Sequence, residues 1–189
     1  MRVITGEARG KNLATLTGGD ITRPTSQRVK EGMFSALQFY IAGARCLDLF
    51  SGSGQLGVEA LSRGAALCVF VDASREAVGI TQQNLKSTGL YDRARVITSE
   101  SISFARGCRE KFDIVFIDPP YKSGLYEKAL EAVAPLVNDG GMVMVELDKK
   151  TELPERIGSL AVSKKYRYSN IAVWLYRPAS EENEGGGVR

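Results

Sequence analysis

Short apolar runs alternate along most of this chain with stretches in which apolar residues recur every three or four positions. Arg45–Phe50, Ala66–Val71, Ala94–Thr98 and Lys111–Ile117 have the length and the Val/Ile/Leu/Phe content of strands, and the last is nearly all apolar, as in a strand buried on both faces. Between them, Leu56–Arg63, the segment from Ser74 to Thr88, a short piece ending near Arg106, and Leu125–Val137 have helical spacing, with Gly64 and Gly89 as stops. A fifth strand is expected from Gly140-Gly141 through Leu147. Strand and helix in alternation predict a parallel sheet with helices on both faces.

The two ends break this rhythm. Residues 1–16 read as two short strands around Gly6 and Gly10, a hairpin appendage, followed by a loop closed by Pro24. Thr25 or Ser26 is placed to cap a helix whose stripe is Val29, Met33, Ala36, Leu37, Tyr40 and Ile41, and Gly43 is its expected end. Ala161–Tyr168 and Ile171–Arg177 predict an antiparallel hairpin turning at Ser169-Asn170. Residues 179–189 are polar, acidic and glycine-rich, a composition that predicts disorder. The expectation is an α/β Rossmann-like domain over residues 25–178, with a mixed seven-stranded sheet and an N-terminal extension over 1–24.

Composition narrows the chemistry. The chain has 189 residues, 43% hydrophobic and 25% charged, enough for one soluble domain with a sizeable core. No apolar run approaches the ~18 residues that span a bilayer, and the N-terminus lacks the pattern of a signal peptide. A cytoplasmic protein without membrane contact is expected. There is no histidine, and Cys46, Cys68 and Cys108 are widely spaced. That argues against a metal site and against histidine-assisted nucleophilic catalysis. The net charge of +3 is uneven: residues 1–30 carry six basic side chains against two acids, and the rest sums to −1. Arg28 and Lys30 fall in the first turn of the expected helix, where its dipole disfavours cations. Both facts point to an anionic partner, nucleic acid first, against the alternative of a solvated face.

Two motifs carry chemistry. Gly52-Ser-Gly54-Gln-Leu-Gly57 follows the first central strand and opens a helix, as in dinucleotide-binding enzymes and in S-adenosylmethionine enzymes. Asp48 stands four residues ahead of the glycines. A carboxylate there would repel a pyrophosphate and suits a cation, such as the methionine ammonium of S-adenosyl-L-methionine. Phe50 and Ser51 lead into the same turn. Asp72 ends the second strand, where a carboxylate can accept the ribose hydroxyls of either cofactor or cap the next helix. Glu100, with Ser101 beside it, ends the third strand and is placed for an adenine amino group, or is a surface acid.

The second motif is Asp118-Pro119-Pro120-Tyr121, at the end of the buried fourth strand. Two prolines stiffen the tip. An aromatic amino nitrogen is a poor nucleophile because its lone pair is delocalised. Asp118 and the Pro119 carbonyl can accept its two N–H groups and favour a more pyramidal nitrogen, and Tyr121 offers a ring for the base to stack on.

Together these residues resemble a family, the RsmD-like methyltransferases. The likeness covers about residues 1–177. It rests on Ile4-x-Gly6-x-x-Arg9-Gly10-x-x-Leu13, Arg23-Pro24-Thr25-x-x-Arg28-Val29-x-Glu31, Leu47 to Ala60 with the glycine corner and Glu59, Ser62-Arg63-Gly64-Ala65, Asn84-Leu85 and Asp118–Tyr121. The resemblance implies a class I fold and S-adenosyl-L-methionine as cofactor. It implies methyl transfer to the N2 amino group of a guanine in bacterial small-subunit (16S) rRNA, free or within a ribosomal particle. It places Asp48, Phe50, Ser51, Gly52, Gly54, Asp72, Glu100 and Ser101 at the cofactor, Asp118, Pro119, Pro120 and Tyr121 at the target base, and Arg9, Lys11, Arg23, Thr25 and Arg28 toward the RNA. Three positions depart from the family's usual pattern: Asp72 stands for Glu, Ser99-Glu100-Ser101 for Gly-Asp-Ala, and Ser169 for Gly. The alternatives are a DNA adenine-N6 methyltransferase, for which the chain has no room for a target-recognition region, and a protein glutamine-N5 methyltransferase, which normally carries Asn in place of Asp118. An NAD-dependent oxidoreductase is disfavoured by Asp48, and a non-catalytic RNA-binding module by the intact tip.

Overall fold

The computed structural model describes residues 1–16, 27–120 and 123–179. Five parallel strands form the heart of one sheet: β1 (Arg45–Leu49), β2 (Leu67–Asp72), β3 (Ala94–Thr98), β4 (Phe112–Ile117) and β5 (Val137–Asp148). The C-terminal strands β6 (Arg156–Ile157), β7 (Leu160–Arg167) and β8 (Ile171–Pro178) pair antiparallel, and β8 joins the sheet along β5. The order is β3-β2-β1-β4-β5-β8-β7-β6. The chain leaves β1 toward β2 on one side and returns to β4 on the other. The β1/β4 boundary is therefore the switch point, where a crevice opens at the carboxyl ends of the strands.

Alternation along each strand sorts the core into two layers. Cys46, Cys68, Phe70, Ile114, Phe116, Met142 and Met144 point to one face, where α1 (Gln27–Leu37), α2 (Gln55–Ser62) and α3 (Arg75–Thr88) pack. Leu47, Val69, Val71, Val115, Ile117 and Val145 point to the other, covered by α4 (Ser101–Gly107) and α5 (Tyr126–Val133). Val71 and Ile117 reach the carboxyl edge fully buried, which is what the near-continuous apolar runs require. Ser74 caps α3 by accepting from the Ala77 N–H, and Gly89 ends it in the left-handed conformation at φ 78°.

Several expectations are corrected. The sheet has eight strands instead of seven. The extra one, β6, is two residues long and too short to leave a period in the sequence. Residues 1–13 make a single bridge, Arg2 to Asn12, instead of a two-stranded hairpin. Around that bridge the two arms do exchange backbone bonds, from the N–H groups of Val3, Gly10 and Leu13 to the carbonyls of Lys11, Val3 and Met1, but the groups between them are drawn elsewhere: Glu59 takes the Ile4 and Thr5 N–H groups, and Ser62 takes those of Glu7 and Ala8. Val3, Ala8 and Leu13 enter the α1-side core, so the segment is part of the domain body and not an appendage. Helix α1 ends at Leu37, short of Gly43. The turn after it buries Ile41 while leaving Phe39 and Tyr40 outside, whereas a continued helix would put Tyr40 and Ile41 on one face. Pro135 converts the end of the expected helix 125–137 into a 3-10 turn. Thr25 and Ser26, the expected caps of α1, lie outside the described residues, as does the tail from 180.

Candidate active site

Asp48 is the last but one residue of β1, near the carboxyl edge, and is 2% exposed. Its Oδ2 accepts the Gly57 N–H of α2 at 2.9 Å. Among the described residues no cation pairs with it. Burial pushes its carboxyl up to about 7, against the pull of the Gly57 N–H. An uncompensated carboxylate beneath a glycine corner is a receptor for positive charge.

The corner itself is rigid. Phe50 and Ser51 both donate their backbone N–H groups to Val71 O, at 3.0 and 2.9 Å. This path forces Phe50 to φ 75°, the one non-glycine with positive φ among the described residues, and backbone strain of that kind concentrates at ligand sites. The two first glycines have different tasks. A Cβ on Gly52 would meet nothing within 4 Å, so its φ of 53° and an open flank are what it supplies. Gly54 lies in the left-handed conformation at the N-cap of α2, and a Cβ there would approach Thr81 within 2.9 Å. Gly57 is a packing glycine: a Cβ would meet the Phe70 ring at 2.2 Å. Thr81 Oγ1 donates to Gly52 O at 2.9 Å, and Asn84 Nδ2 to Ser53 O at 2.8 Å, so α3 holds the turn from below.

Asp72 stands across the corner. Its carboxylate accepts the Gly52 N–H and the Ser74 N–H, each at 2.8 Å. It therefore joins the glycine turn to the start of α3, with its remaining lone pairs toward the crevice edge. The Ser51 hydroxyl is buried beside it and has no hydrogen-bond partner. Glu100 is the N-cap of α4, accepting from the Ile102 and Ser103 N–H groups at 3.0 and 2.7 Å, and the Ser103 hydroxyl first, with these two backbone bonds, holds its carboxyl below the usual range. Its role as a cap was not among the sequence readings. Ser101, next to it, is buried.

Asp118 follows β4. In the sheet register Asp48 lies beside Phe116 and Leu49 beside Ile117, the last residue of β4, so Asp118 comes directly after the strand at the same carboxyl edge. Pro119 is buried, and Ser123 closes the tip by donating its N–H to Pro120 O at 3.1 Å. The tip and the glycine corner thus follow neighbouring parallel strands at one edge of the sheet, which spacing alone could not establish. Tyr121 lies outside the described residues. Two groups beside the tip carried no sequence signal. Glu146, fully buried, is one step past the Ile117–Val145 pair on β5, and Tyr126 at the start of α5 has a buried hydroxyl without a partner.

The basic N-terminal residues are dispersed. Lys30, read with Arg28 as facing an anionic partner, is instead fully buried and paired with Glu59 at 3.2 Å. Lys11 donates its ammonium to the carbonyls of Ser87 and Thr88 at the end of α3. Arg9 and Arg28 are exposed, and Arg23 and Thr25 lie outside the described residues. Glu59, quoted in the motif without a role, is the hub of this region. It also pairs with Arg63 at 2.8 Å and accepts the Ile4 and Thr5 N–H groups. An acid set among Leu56, Val58, Ala60 and Leu61 was the available signal.

A desolvated carboxylate, an orphan hydroxyl, an open glycine and a second carboxylate come together at the carboxyl edge, a set that fits a ligand with a positive group and hydroxyls. The profile of a family described as "Conserved hypothetical protein 95" matches residues 1–177. The chain belongs to this family, that of the RsmD-like methyltransferases. It is 39% identical to the Bacillus subtilis protein named "Putative rRNA methyltransferase YlbH" over 94% of this chain and 98% of that one. It is 33% identical to "Ribosomal RNA small subunit methyltransferase D" of Escherichia coli K12, covering 97% and 93% of the two chains. The solved structure "Putative methyltransferase yhhF from Escherichia coli" superposes with a TM-score of 0.84 at 33% identity, over 94% of this chain and 97% of that one. The protein is a methyltransferase of this family.

Proposed function

We propose that this protein transfers the methyl group of S-adenosylmethionine to the exocyclic N2 amino group of a guanine in small-subunit rRNA, within a ribosomal particle in the cytoplasm. The observation that carries this reading is that the Asp118-Pro119-Pro120 tip and the Asp48 corner follow neighbouring parallel strands at one edge of the sheet. The two full-length relatives named as rRNA methyltransferases support the nucleic acid.

The cofactor supplies an electrophilic methyl on a positively charged sulfur. Everything else falls to the chain. Asp48 would receive the ammonium, Ser51 and the Phe50–Gly54 turn the methionine portion, Asp72 the ribose hydroxyls, and the Glu100–Ser101 segment the adenine side. Asp118 and the Pro119 carbonyl accept the N–H groups of the target and orient its lone pair, with Pro120 stiffening the loop and Tyr121 beneath the base. The nitrogen gains a carbon and sheds a proton, which the Asp118 carboxylate or water can take. Alignment contributes most of the acceleration. Arg28 faces the RNA at this edge, the Arg23-Pro24-Thr25 motif joins it in contacting RNA as the family resemblance implies, and Arg9 and Lys11 sit on the segment docked at the ends of α2 and α3.

The test uses labelled S-adenosylmethionine and small-subunit particles from cells that lack the gene. N2-methylguanine must appear in the rRNA nucleosides by mass spectrometry. Asp118→Ala is expected to lower transfer by about 100- to 10,000-fold with cofactor affinity nearly intact. Label in DNA adenine, or in a protein amide, would overturn the assignment.

A further inference from the structure

Lys164, Tyr166 and Tyr168 alternate along β7 and its extension on the α1 side of the sheet. Both rings pack on the α1-side core and remain half-exposed. The Lys164 ammonium lies 5.8 Å from the Tyr166 centroid. The Tyr168 hydroxyl reaches α1 so closely that a Cβ on Gly32 would meet it at 1.9 Å. Arg28, one turn earlier on the same stripe, flanks that ring. At the far end Arg177 stacks over Tyr40 at 5.0 Å, and Tyr40 is 45% exposed.

Direction matters. β8 starts opposite Asp148 and β7 pairs antiparallel with β8, so Tyr168 stands at the carboxyl edge with the candidate site and Lys164 lies down the flank. Leu160–Pro178 carries four cations and no acid, a second basic segment beyond the N-terminal one. β6 covers only Leu160 and Ala161, which leaves the rest of β7 as an open edge. Lysines on an open edge guard against strand addition, and this accounts for charge alone. It does not account for half-exposed rings beside the lysines, which work against such a guard. The opposite face shows the difference: Lys165 is committed to Glu155 and lies over Trp174 at 3.7 Å. Among the described residues Lys164 and Arg28 have no ion pair, and Glu31 is held by Gln27 on the adjacent stripe of α1.

We propose that the row Arg28, Tyr168, Tyr166 and Lys164, with Arg177 and Tyr40 at its far end, is a track for the RNA strand flanking the target nucleotide. This rests on the rRNA reading above and extends it to a surface. The cations neutralise phosphates and the rings stack on bases. Two residues of strand set the rings about 7 Å apart, roughly twice the ~3.4 Å rise between nucleotides.

The test titrates the full chain onto deproteinised, unmodified small-subunit rRNA and onto small-subunit particles across a salt series. Lys164→Gln is expected to weaken binding roughly tenfold at low salt and to reduce the slope of log affinity against log salt by about one. Lys164→Glu weakens it further. Tyr166→Leu, which keeps the packing, weakens binding about five- to hundredfold without changing the slope, and Tyr166→Phe leaves it intact. Lys165→Gln, on the other face, leaves affinity and slope unchanged. Cofactor affinity stays constant in all of them, which separates the effect from damage to the fold. Wild-type affinity and slope in both Lys164→Gln and Tyr166→Leu would overturn the track. So would a loss seen on particles but not on bare rRNA, which would assign the row to a protein partner. A wild-type chain that binds neither RNA nor particles would instead refute the rRNA reading itself.

Discussion

Glu59 and Asp48 are both shielded from solvent, one inside α2 and the other on the strand that leads into it. Glu59 is surrounded by donors: Lys30, Arg63 and the backbone N–H groups of Ile4 and Thr5. Asp48 has one, the Gly57 N–H. The first carboxylate is satisfied in the protein alone and clamps the N-terminal segment and α1 onto α2. The second is left short of one cation, at the mouth of the crevice. A buried charge without a partner costs stability, and a protein retains such a charge where a ligand supplies the missing half. The contrast separates a structural acid from a binding acid without reference to any motif.

Removing one side of the satisfied network has the largest expected effect. Glu59→Gln leaves the Lys30 ammonium buried without its counter-charge, and a loss of about 3–5 kcal/mol in unfolding free energy is expected by urea denaturation. Replacing both partners, Glu59→Leu with Lys30→Met, is expected to recover most of it. A double variant as unstable as the single one would show that the backbone bonds to Ile4 and Thr5, and not the ion pair, dominate.

Asp48→Asn is expected to do the reverse. The apoprotein should lose no stability, because a desolvated charge disappears. Cofactor affinity should fall roughly 100-fold, the worth of a charge-assisted bond of about 2–3 kcal/mol. Calorimetric titration showing unchanged affinity would take the ammonium away from Asp48.

The pH dependence follows from the same carboxyl. Its folded value, about 7, lies above its ordinary 3.8. The folded state keeps a proton that the unfolded state releases, so this group's contribution to apoprotein stability is full below ~4 and is lost as pH rises through about 7. Cofactor binding needs the charged form and moves oppositely. Affinity should rise by up to about tenfold per pH unit below 7 and level off above it. Asp48→Asn should flatten both curves, and a persisting slope would assign the titration to another group.

Lys11→Ala is the smallest change. Loss of its bonds to the last carbonyls of α3 should cost about 0.3–1 kcal/mol in thermal unfolding, with rRNA affinity nearly unchanged. A large, salt-dependent loss of RNA binding would return Lys11 to the interface.

The strand–helix alternation, the glycine corner and the stiff tip were legible because each is a local device: a two- or 3.6-residue period, a positive φ, a ring-locked φ. Ala94–Thr98 has the bounds expected of it, and Ser74 and Gly89 bracket α3 as read. The errors fall where local preference is overridden at a distance. Residues 1–13 have strand character, but the N–H groups of Ile4, Thr5, Glu7 and Ala8 are claimed by Glu59 and Ser62, some fifty positions away. Lys30 looks like a surface cation of a first turn, and only the approach of α2 buries it. The basic row on β7 was hidden in a net charge, because charges cancel in a sum and not on a surface.

By itself the sequence determined the type of each element, the order of strand and helix, and the residue types able to meet a cationic cofactor and an amino group, all set by short-range sterics and periodicity. The tertiary structure alone decided that the Asp118 tip and the Asp48 corner follow neighbouring strands at one edge, that Glu59 has its counter-charges while Asp48 has none among the described residues, and that Arg28 meets Tyr168 across the sheet flank. Strand register and helix docking bring together residues distant in the chain, and a carboxylate's role is fixed by what surrounds it in space.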